Sequence, residues 1–582
     1  MDPYKISDKK FAFDSFKTGK ALFKKKKRLP AMGWNSWNAF GSGNTEALTK
    51  CMCERLIELG LDELGYKYVV LDDGCYNSSR INGHLSSDPV KFPHGFAEMS
   101  DFIHSKGLKF GMYNDIGSKL CSGLEVGTCG HEKTDAEDYV KWNIDFIKID
   151  NCYNVWDNAT FSNPENARYT FAPNIKGIRF EDKYISYKEA AIIGSRAFVE
   201  DDYITGIGTY DGTGPDTTPL GELSSEVVFY VNVEKEGEYD LYVSYATGAS
   251  EGVGAWLQVA VDNSEYFYDD FLPSTGDPKV FRQSAAIKIT LKKGINKLRL
   301  MNHRRQENTL LSYAKIKGCF KKAKPDNDIV FSICEWGKTQ PQNWGYKVGD
   351  SWRILNDITF QVGSDGDRGH ASWEGAYTTS VTAQYNKAVI MDSFSGPDKG
   401  YNDPDMLMIG MDGLTDTMCK THMTMWCMLN APLMLGMDLR NVQKGDEVYS
   451  VISNKEVIAL NQDELGIQAK RIYTTKAVPP DKSYIRDNDR VDVLCKPLSD
   501  GSVALSFINV SLGDRNDTIR INLDLIRNYM EEKVVDSARF FSASSYEITD
   551  LWSGETTVSS DKVFSCPPLK ACDSLTVKIT PC

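Results

Sequence analysis

The chain has 582 residues, enough for three or four domains at roughly 100–200 residues each and for a sizeable packed core. Hydrophobic residues make up 41% and charged residues 25%, the balance of an ordinary globular protein. The formal net charge of −13 argues against a chain built to bind nucleic acid or an anionic membrane, and suits a neutral substrate better than a polyphosphate.

In chain order, Met1 to Pro30 carries Lys at 17, 20 and 24–27 but no apolar core and no small-residue cleavage site. No secretory signal is therefore expected, and the expected location is cytoplasmic, or secreted if a signal has been removed. No apolar run reaches the ~18 residues of a membrane span. The run Lys24–Arg28 reads as a solvated face leading into the first strand, the other reading being a targeting or anion-binding patch. From about residue 29, near-continuous apolar strands alternate with helical stretches. The strands are Tyr66–Asp72, Leu108–Tyr113, Asp145–Asp150 and Ile329–Cys334, with helices such as Thr45–Leu61 and Ala136–Asn143 between them. Trp34, Asp72, Tyr113 and Asp150 recur at intervals of roughly 40 residues, the length of one β/α unit, so the class is α/β and a (β/α)8 TIM barrel is expected.

From Asp150 to Cys334 the chain is roughly 140 residues longer than one unit needs. That segment holds alternating strands at Val227–Val233, Tyr239–Tyr245, Ala255–Val261, Ala286–Leu291 and Asn296–Met301. They predict an inserted, jelly-roll-like β-sandwich over 174–320. The barrel would then comprise 29–173 and 321–468, after an N-terminal extension at 1–28. Strands at Val491–Cys495, Ser502–Asn509, Thr518–Leu523 and Ser574–Ile579 predict a C-terminal antiparallel β-sandwich domain over 469–582. The 14 Cys and 7 His form no C-x-x-C pair and no H-E-x-x-H, so no metal site is signalled and most cysteines read as buried thiols.

Polar residues gather at the predicted strand ends, where a barrel of this class keeps its chemistry. Asp72 and Asp73 follow one strand. Lys148 and Asp150 close another, and alternation puts both on one face. A Lys there should lower the pKa of Asp150 and keep it ionised, as a glycosidase nucleophile requires; the other reading is a structural ion pair. Asp357, after Trp352-Arg353, is a candidate general acid if its site raises its pKa. Asn402-Asp403-Pro404-Asp405-Met406 is a third acidic cluster whose composition also makes turns. Trp34, Trp37, Tyr113, Trp336 and Trp352 flank these ends, and each could stack on a sugar or fill the core.

Together these motifs resemble glycoside hydrolase family 27, the α-galactosidases and α-N-acetylgalactosaminidases. The matching stretches include Met32-Gly-Trp-Asn-Ser-Trp-Asn38, Leu71-Asp-Asp73, Lys148-Ile-Asp-Asn-Cys152, Ser332-Ile-Cys-Glu-Trp-Gly337, Ser351-Trp-Arg353 with Asp357, and Asn402-Asp-Pro-Asp-Met406, in the family's order. The resemblance implies Asp150 as nucleophile and Asp357 as acid/base. It implies sugar contacts from Trp37, Asp72, Asp73, Tyr113, Lys148, Cys334, Glu335, Trp336, Arg353, Asp405 and Met406. Cys121 and Cys152 stand where the family has a disulfide, whereas Cys75 sits one place late for the other. Asp72 and Asp73 would take the 4-OH and 6-OH of galactose, and Glu335 would exclude a 2-acetamido group.

The implied activity is retaining release of terminal α-linked galactose, with no catalytic cofactor. The alternatives are α-N-acetylgalactosaminidase, β-L-arabinopyranosidase, transglycosylation or a non-catalytic galactose-binding protein. The insert resembles a galactose-binding carbohydrate-binding module through Glu236-Gly-Glu-Tyr-Asp-Leu-Tyr-Val-Ser-Tyr-Ala246, a type that often holds calcium. Its role is open between binding distal sugar, walling the site and mediating oligomerisation, and a homo-oligomer is one possible state. The expected partner is an α-galactoside, not nucleic acid or membrane.

Overall fold

The computed structural model describes residues 21–153, 171–194, 196–208, 225–249, 254–264, 267–302, 304–326, 328–375, 379–479, 484–516, 518–533 and 537–582. Eight short strands build the catalytic unit: β1 (Met32–Asn35), β2 (Tyr68–Val70), β3 (Lys109–Asp115), β4 (Phe146–Asp150), β5 (Val330–Cys334), β6 (Ser351–Arg353), β7 (Tyr401–Asp403) and β8 (Leu433–Leu435). Their order in the sheet is β7-β6-β5-β4-β3-β2-β1-β8, every pairing parallel. The ring closes just beyond β7, where Leu407 N–H donates to Met434 O at 2.8 Å and Gly436 N–H donates to Leu407 O at 3.1 Å. The predicted barrel is therefore present.

Register sets the chemistry at one end. Asp115 and Asp150 are paired across β3 and β4, Asp150 and Cys334 across β4 and β5, and Arg353 and Asp403 across β6 and β7. The predicted strand Tyr66–Asp72 is shorter in the sheet. Asp72 leaves the ladder, and its N–H is taken by Ser36 Oγ at 3.0 Å, which frees its carboxylate for the barrel mouth. The helix Glu46–Glu58 starts where Thr45 Oγ1 accepts Leu48 N–H at 3.2 Å, a side-chain N-cap. It buries Thr49, Met52, Cys53 and Leu56, spaced three and four apart, against the sheet. The helix predicted from Ala136 begins four residues earlier, at Glu132.

The inserted segment folds as two antiparallel sheets. One runs in the order 267–272, 255–261, 294–301, 226–233, 191–193. The other is built around Gly237–Ala246 and Asn174–Phe180. Their facing side chains, among them Ile178, Phe229, Val243, Leu257 and Leu298, form a core separate from that of the barrel. The insert does not run to residue 320 as predicted. The helix Arg304–Ala323 packs on the helix Glu132–Lys141, and its Tyr313, Ile316 and Phe320 belong to the barrel core. An amphipathic helix follows whichever apolar surface covers it, which strand periodicity upstream does not reveal.

The C-terminal unit is a six-stranded antiparallel sheet, in the order 470–474, 491–497, 503–509, 574–581, 546–550, 556–559, with a two-stranded sheet, 519–522 and 563–566, beside it. It is fastened to the barrel by buried polar groups. Trp373 Nε1 donates to Val510 O at 2.9 Å, and Tyr385 Oη donates to Asp492 Oδ2 at 3.1 Å. Arg490, fully buried, meets the same Asp492 carboxylate. Among the described residues no helix is long and apolar enough to cross a membrane.

Candidate active site

A cavity of about 150 Å³ opens at the C-terminal end of the barrel. Its wall contains Trp37, Asp72, Asp73, Tyr113, Lys148, Asp150, Trp336, Arg353, Asp357, Asp405 and Met406, drawn from loops or ends of seven strands. The structure thus brings together every residue implied as catalytic or sugar-binding except Cys334 and Glu335. It adds Asn38 and Cys121, which the sequence marked only as a motif end and a disulfide partner, and Thr359, which carried no signal of its own. Thr359 Oγ1 donates to Asn38 Oδ1 at 2.6 Å, tying the β6 and β1 loops together.

Asp150 is 4% exposed. The Asn151 N–H donates to its Oδ1 at 2.8 Å and Tyr113 Oη donates to its Oδ2 at 3.1 Å, so one face of the carboxylate is held and aimed. Lys148 does share its face, as alternation requires, but does not pair with it. Lys148 Nζ donates instead to Asp72 Oδ2 at 2.8 Å, across the barrel. Burial pushes the Asp150 carboxyl up to about 6, against the pull of the Lys148 charge and helped by the negative Asp357. The expectation of a lowered pKa is therefore overturned: desolvation outweighs a cation that is already engaged elsewhere. The active form is the carboxylate, so kcat/KM should fall as pH drops through about 6, where an ordinary Asp limb would lie near 4. A pH profile of kcat/KM with its acid limb near 4 would contradict this.

Asp357 lies on the loop after β6 with its side chain 46% exposed, and accepts from Arg353 Nη2 at 3.0 Å. One carboxylate is buried and fixed while the other meets solvent at the rim. Arg353, 2% exposed, also binds Asp405 Oδ2 at 2.8 Å. Asp405 in turn accepts the N–H groups of Ile358 (2.9 Å) and Met406 (2.8 Å), which anchors the loop carrying Asp357. The Asn402–Met406 stretch does turn, with Asp405 at φ 76°, and the turn places Asp405 and Met406 on the cavity wall.

Asp72 and Asp73 each accept three hydrogen bonds. Asp72 takes Asn35 Nδ2 (2.8 Å), Lys148 and its neighbour's N–H, and Asp73 takes Gly74 N–H (2.6 Å), Ser122 N–H (2.7 Å) and Ser122 Oγ (2.8 Å). With about four acceptor positions per carboxylate, each keeps about one for a ligand hydroxyl. Burial raises the pKa of Asp73.

Glu335 corrects the sequence reading. It is fully buried off the cavity, with Oε2 accepting Thr339 N–H at 2.9 Å and Thr339 Oγ1 at 2.8 Å. The chain turns sharply after β5. Trp336 sits at φ 59° and Gly337 at φ 76°, where a Cβ would meet Ile354 O at 2.0 Å, so the turn swings Glu335 away and delivers the Trp336 ring to the wall. An aromatic residue in the left-handed region is strained, and such strain collects at functional sites. Cys334 lies behind the wall, its Sγ 3.6 Å from Arg353 Nη1.

Cys121 and Cys152 form a disulfide with Cα atoms 5.3 Å apart, and Cys75 is a buried free thiol. The bridge holds the β3 loop against the end of β4 and so positions Ser122 on Asp73. Cys121→Ser should lower kcat/KM by about 10²-fold, the cost of an ångström-scale misplacement. Steady-state kinetics with and without a reductant check this: reduction of the native enzyme should lower kcat/KM in the same direction, and equal rates would refute it. Two groupings of potential metal ligands occur among the described residues, Asp115/Cys121/Asp150/Cys152 and Glu46/His94/Glu98. Both lie in the barrel rather than the insert, and the first contains the disulfide.

A parallel barrel whose strand ends hold a buried, aimed carboxylate and a rim carboxylate in one sugar-sized cavity defines a glycoside hydrolase of the two-carboxylate type. The family profile described as "Alpha galactosidase A" matches residues 29–177 and 296–463, and that of the "Alpha galactosidase C-terminal beta sandwich domain" matches 488–573. The chain belongs to this alpha-galactosidase family, glycoside hydrolase family 27, and residues 178–295, which hold most of the inserted sandwich, lie outside the match. It is 24% identical over 534 residues to Alpha-galactosidase A of Cellvibrio japonicus, covering 92% of this chain and 88% of that one. It is 26% identical over 485 residues to the Alpha-galactosidase of Cyamopsis tetragonoloba, covering 83% and 73%. The crystal structure of alpha-galactosidase I from Mortierella vinacea shares the fold, with a TM-score of 0.59, 22% identity and coverage of 97% and 98%.

Proposed function

We propose that this chain is a retaining α-galactosidase in which Asp150 is the nucleophile and Asp357 the acid/base. One observation carries the reading: a single cavity presents a buried, hydrogen-bonded carboxylate and a half-exposed one. In the first step an Asp150 oxygen bonds to the anomeric carbon as the glycosidic C–O bond breaks, and Asp357 gives its proton to the leaving oxygen. In the second, Asp357 takes a proton from water, which displaces Asp150 and restores the α configuration. The carboxyl groups should then lie about 5–5.5 Å apart.

The free acceptor positions of Asp72 and Asp73 suit the 4-OH and 6-OH of galactose. With Glu335 withdrawn, exclusion of an N-acetyl group falls to the remaining wall. Proton NMR of the first-formed sugar should show the α anomer, and β first would sink the mechanism. Rates on p-nitrophenyl α-galactoside should exceed those on the α-N-acetylgalactosaminide and the β-L-arabinopyranoside. Faster turnover of either would reassign the substrate and keep the chemistry.

A further inference from the structure

A second cavity, of about 300 Å³, lies at the opposite, N-terminal mouth of the barrel. Strands β1, β2, β3, β5, β6 and β7 begin around it. Six cations ring it: Lys25, Lys26, Arg28, Lys67, Lys109 and Lys399. Asp350 is the one carboxylate among the described lining residues. A neighbouring cavity of about 410 Å³ shares Lys25, Lys26 and Arg28 and adds Lys24, Lys317 and Lys321, faced by Asp326 and Asp328. This concentration of positive charge sits in a chain of net charge −13.

The cluster is built into the fold rather than left as a solvated tail. Leu22 N–H donates to Lys347 O at 2.9 Å, Tyr401 Oη donates to Arg28 O at 2.7 Å and Gln462 Nε2 donates to Pro30 O at 3.1 Å. These bonds strap the Lys24–Arg28 run across the barrel mouth. Among the described residues no carboxylate lies within ion-pair distance of Lys25, Lys109 or Lys399. Lys25 and Lys399 donate to backbone carbonyls, and Lys109 rests 5.1 Å above the Tyr68 ring. Arg28 pairs with Asp328, but its Nε is buried without a hydrogen bond, 3.6 Å from Asp350. The crowding has a cost. Burial, opposed by Asp350 and reinforced by the charges of Lys317 and Arg28, pushes Lys25 down to about 8. Lys26 pairs with Asp328 at 2.9 Å and Lys67 with Asp62 at 3.5 Å, which leaves Lys25, Lys109 and Lys399 as the ring's cations without a carboxylate partner among the described residues, and Pro397, Pro432 and Tyr401 add an apolar wall.

We propose that this cavity binds a small phosphorylated molecule, its phosphate held by Lys25, Arg28 and Lys109 and its organic part set against the prolines and Tyr401. The site is independent of the catalytic cavity, and its class of ligand is distinct from the neutral galactoside. The test is isothermal titration of the full chain with inorganic pyrophosphate and, separately, glucose 6-phosphate. One saturable site is expected, at least about 100-fold weaker in Lys25→Gln/Lys109→Gln, since each of the two lost charged bonds is worth about tenfold or more in affinity. Turnover of p-nitrophenyl α-galactoside should be unchanged in that variant. No saturable heat with either probe overturns the proposal. So does equal affinity in wild type and variant, or binding of anionic vesicles in place of both probes. If the double variant does not fold, Lys109→Gln alone carries the same comparison.

Discussion

Asp150→Asn should abolish turnover of an α-galactoside, by about 10⁴-fold or more, as loss of a covalent nucleophile does. The substitution keeps the shape of the side chain and, with its Oδ1 facing the Asn151 N–H, its Nδ2 donates to the Tyr113 hydroxyl oxygen in place of accepting from it, so the cavity should persist. The same change should raise the melting temperature at neutral pH. Burial holds the Asp150 pKa above that of an ordinary Asp, so folding is disfavoured as pH rises through the interval between the unfolded and folded values, and an uncharged amide removes the penalty. A dead but stabilised variant is the signature of a residue placed for chemistry rather than for folding. Loss of activity together with loss of stability would return Asp150 to the structural reading. Asp357→Ala separates the second role. It should cost about 10²–10⁴-fold, least for p-nitrophenolate, which needs little protonation on leaving. Added azide should restore turnover and yield the α-galactosyl azide, because azide attacks the covalent intermediate from the face opposite Asp150. The β-azide would exchange the two assignments.

Lys148→Met is the second large expectation. Lys148 is 14% and Asp72 3% exposed in side chain, and their bond is 2.8 Å long. Removing the cation leaves a buried carboxylate whose other partners are a side-chain amide and a backbone N–H, so stability should fall by about 3–5 kcal/mol. The acid limb of kcat/KM should also move up, because the Lys148 charge is what opposes the desolvation of Asp150. Asp72→Asn/Lys148→Met should recover most of the stability and none of the activity, since both the buried charge and its hydroxyl-binding role are gone. Denaturant unfolding and a pH profile on the three proteins decide this. Equal stability of Lys148→Met and wild type would mean that the pair contributes nothing to the fold.

The barrel strands, the interruption after Asp150, the sandwich in the gap and the C-terminal sheet were all legible because they rest on local periodicity. Apolar runs of strand length separated by helices at even spacing leave few other architectures. Asp150 and Asp357 stand out as candidates because the motifs around them are contiguous and match the family's, while strand spacing alone leaves Asp150 open between a nucleophile and an ion pair. The sequence by itself therefore determined the class of fold and the end of the barrel where the polar residues gather. Tertiary structure alone decided the rest. Lys148 and Asp150 share a face by strand alternation, yet the segment just after β2 supplies the partner of Lys148, and only the assembled sheet brings Asp72 to it. Glu335 is contiguous with the wall-forming Trp336, yet two left-handed backbone positions turn it inward onto Thr339. The lysine run at 24–28 reads as a solvated face from sequence. It becomes the rim of a cavity only when Lys67, Lys109 and Lys399 arrive from three other elements. The first and last are contacts between residues far apart in the chain, set by packing and desolvation, and the second is a backbone turn; strand and helix periodicity carries no record of any of them.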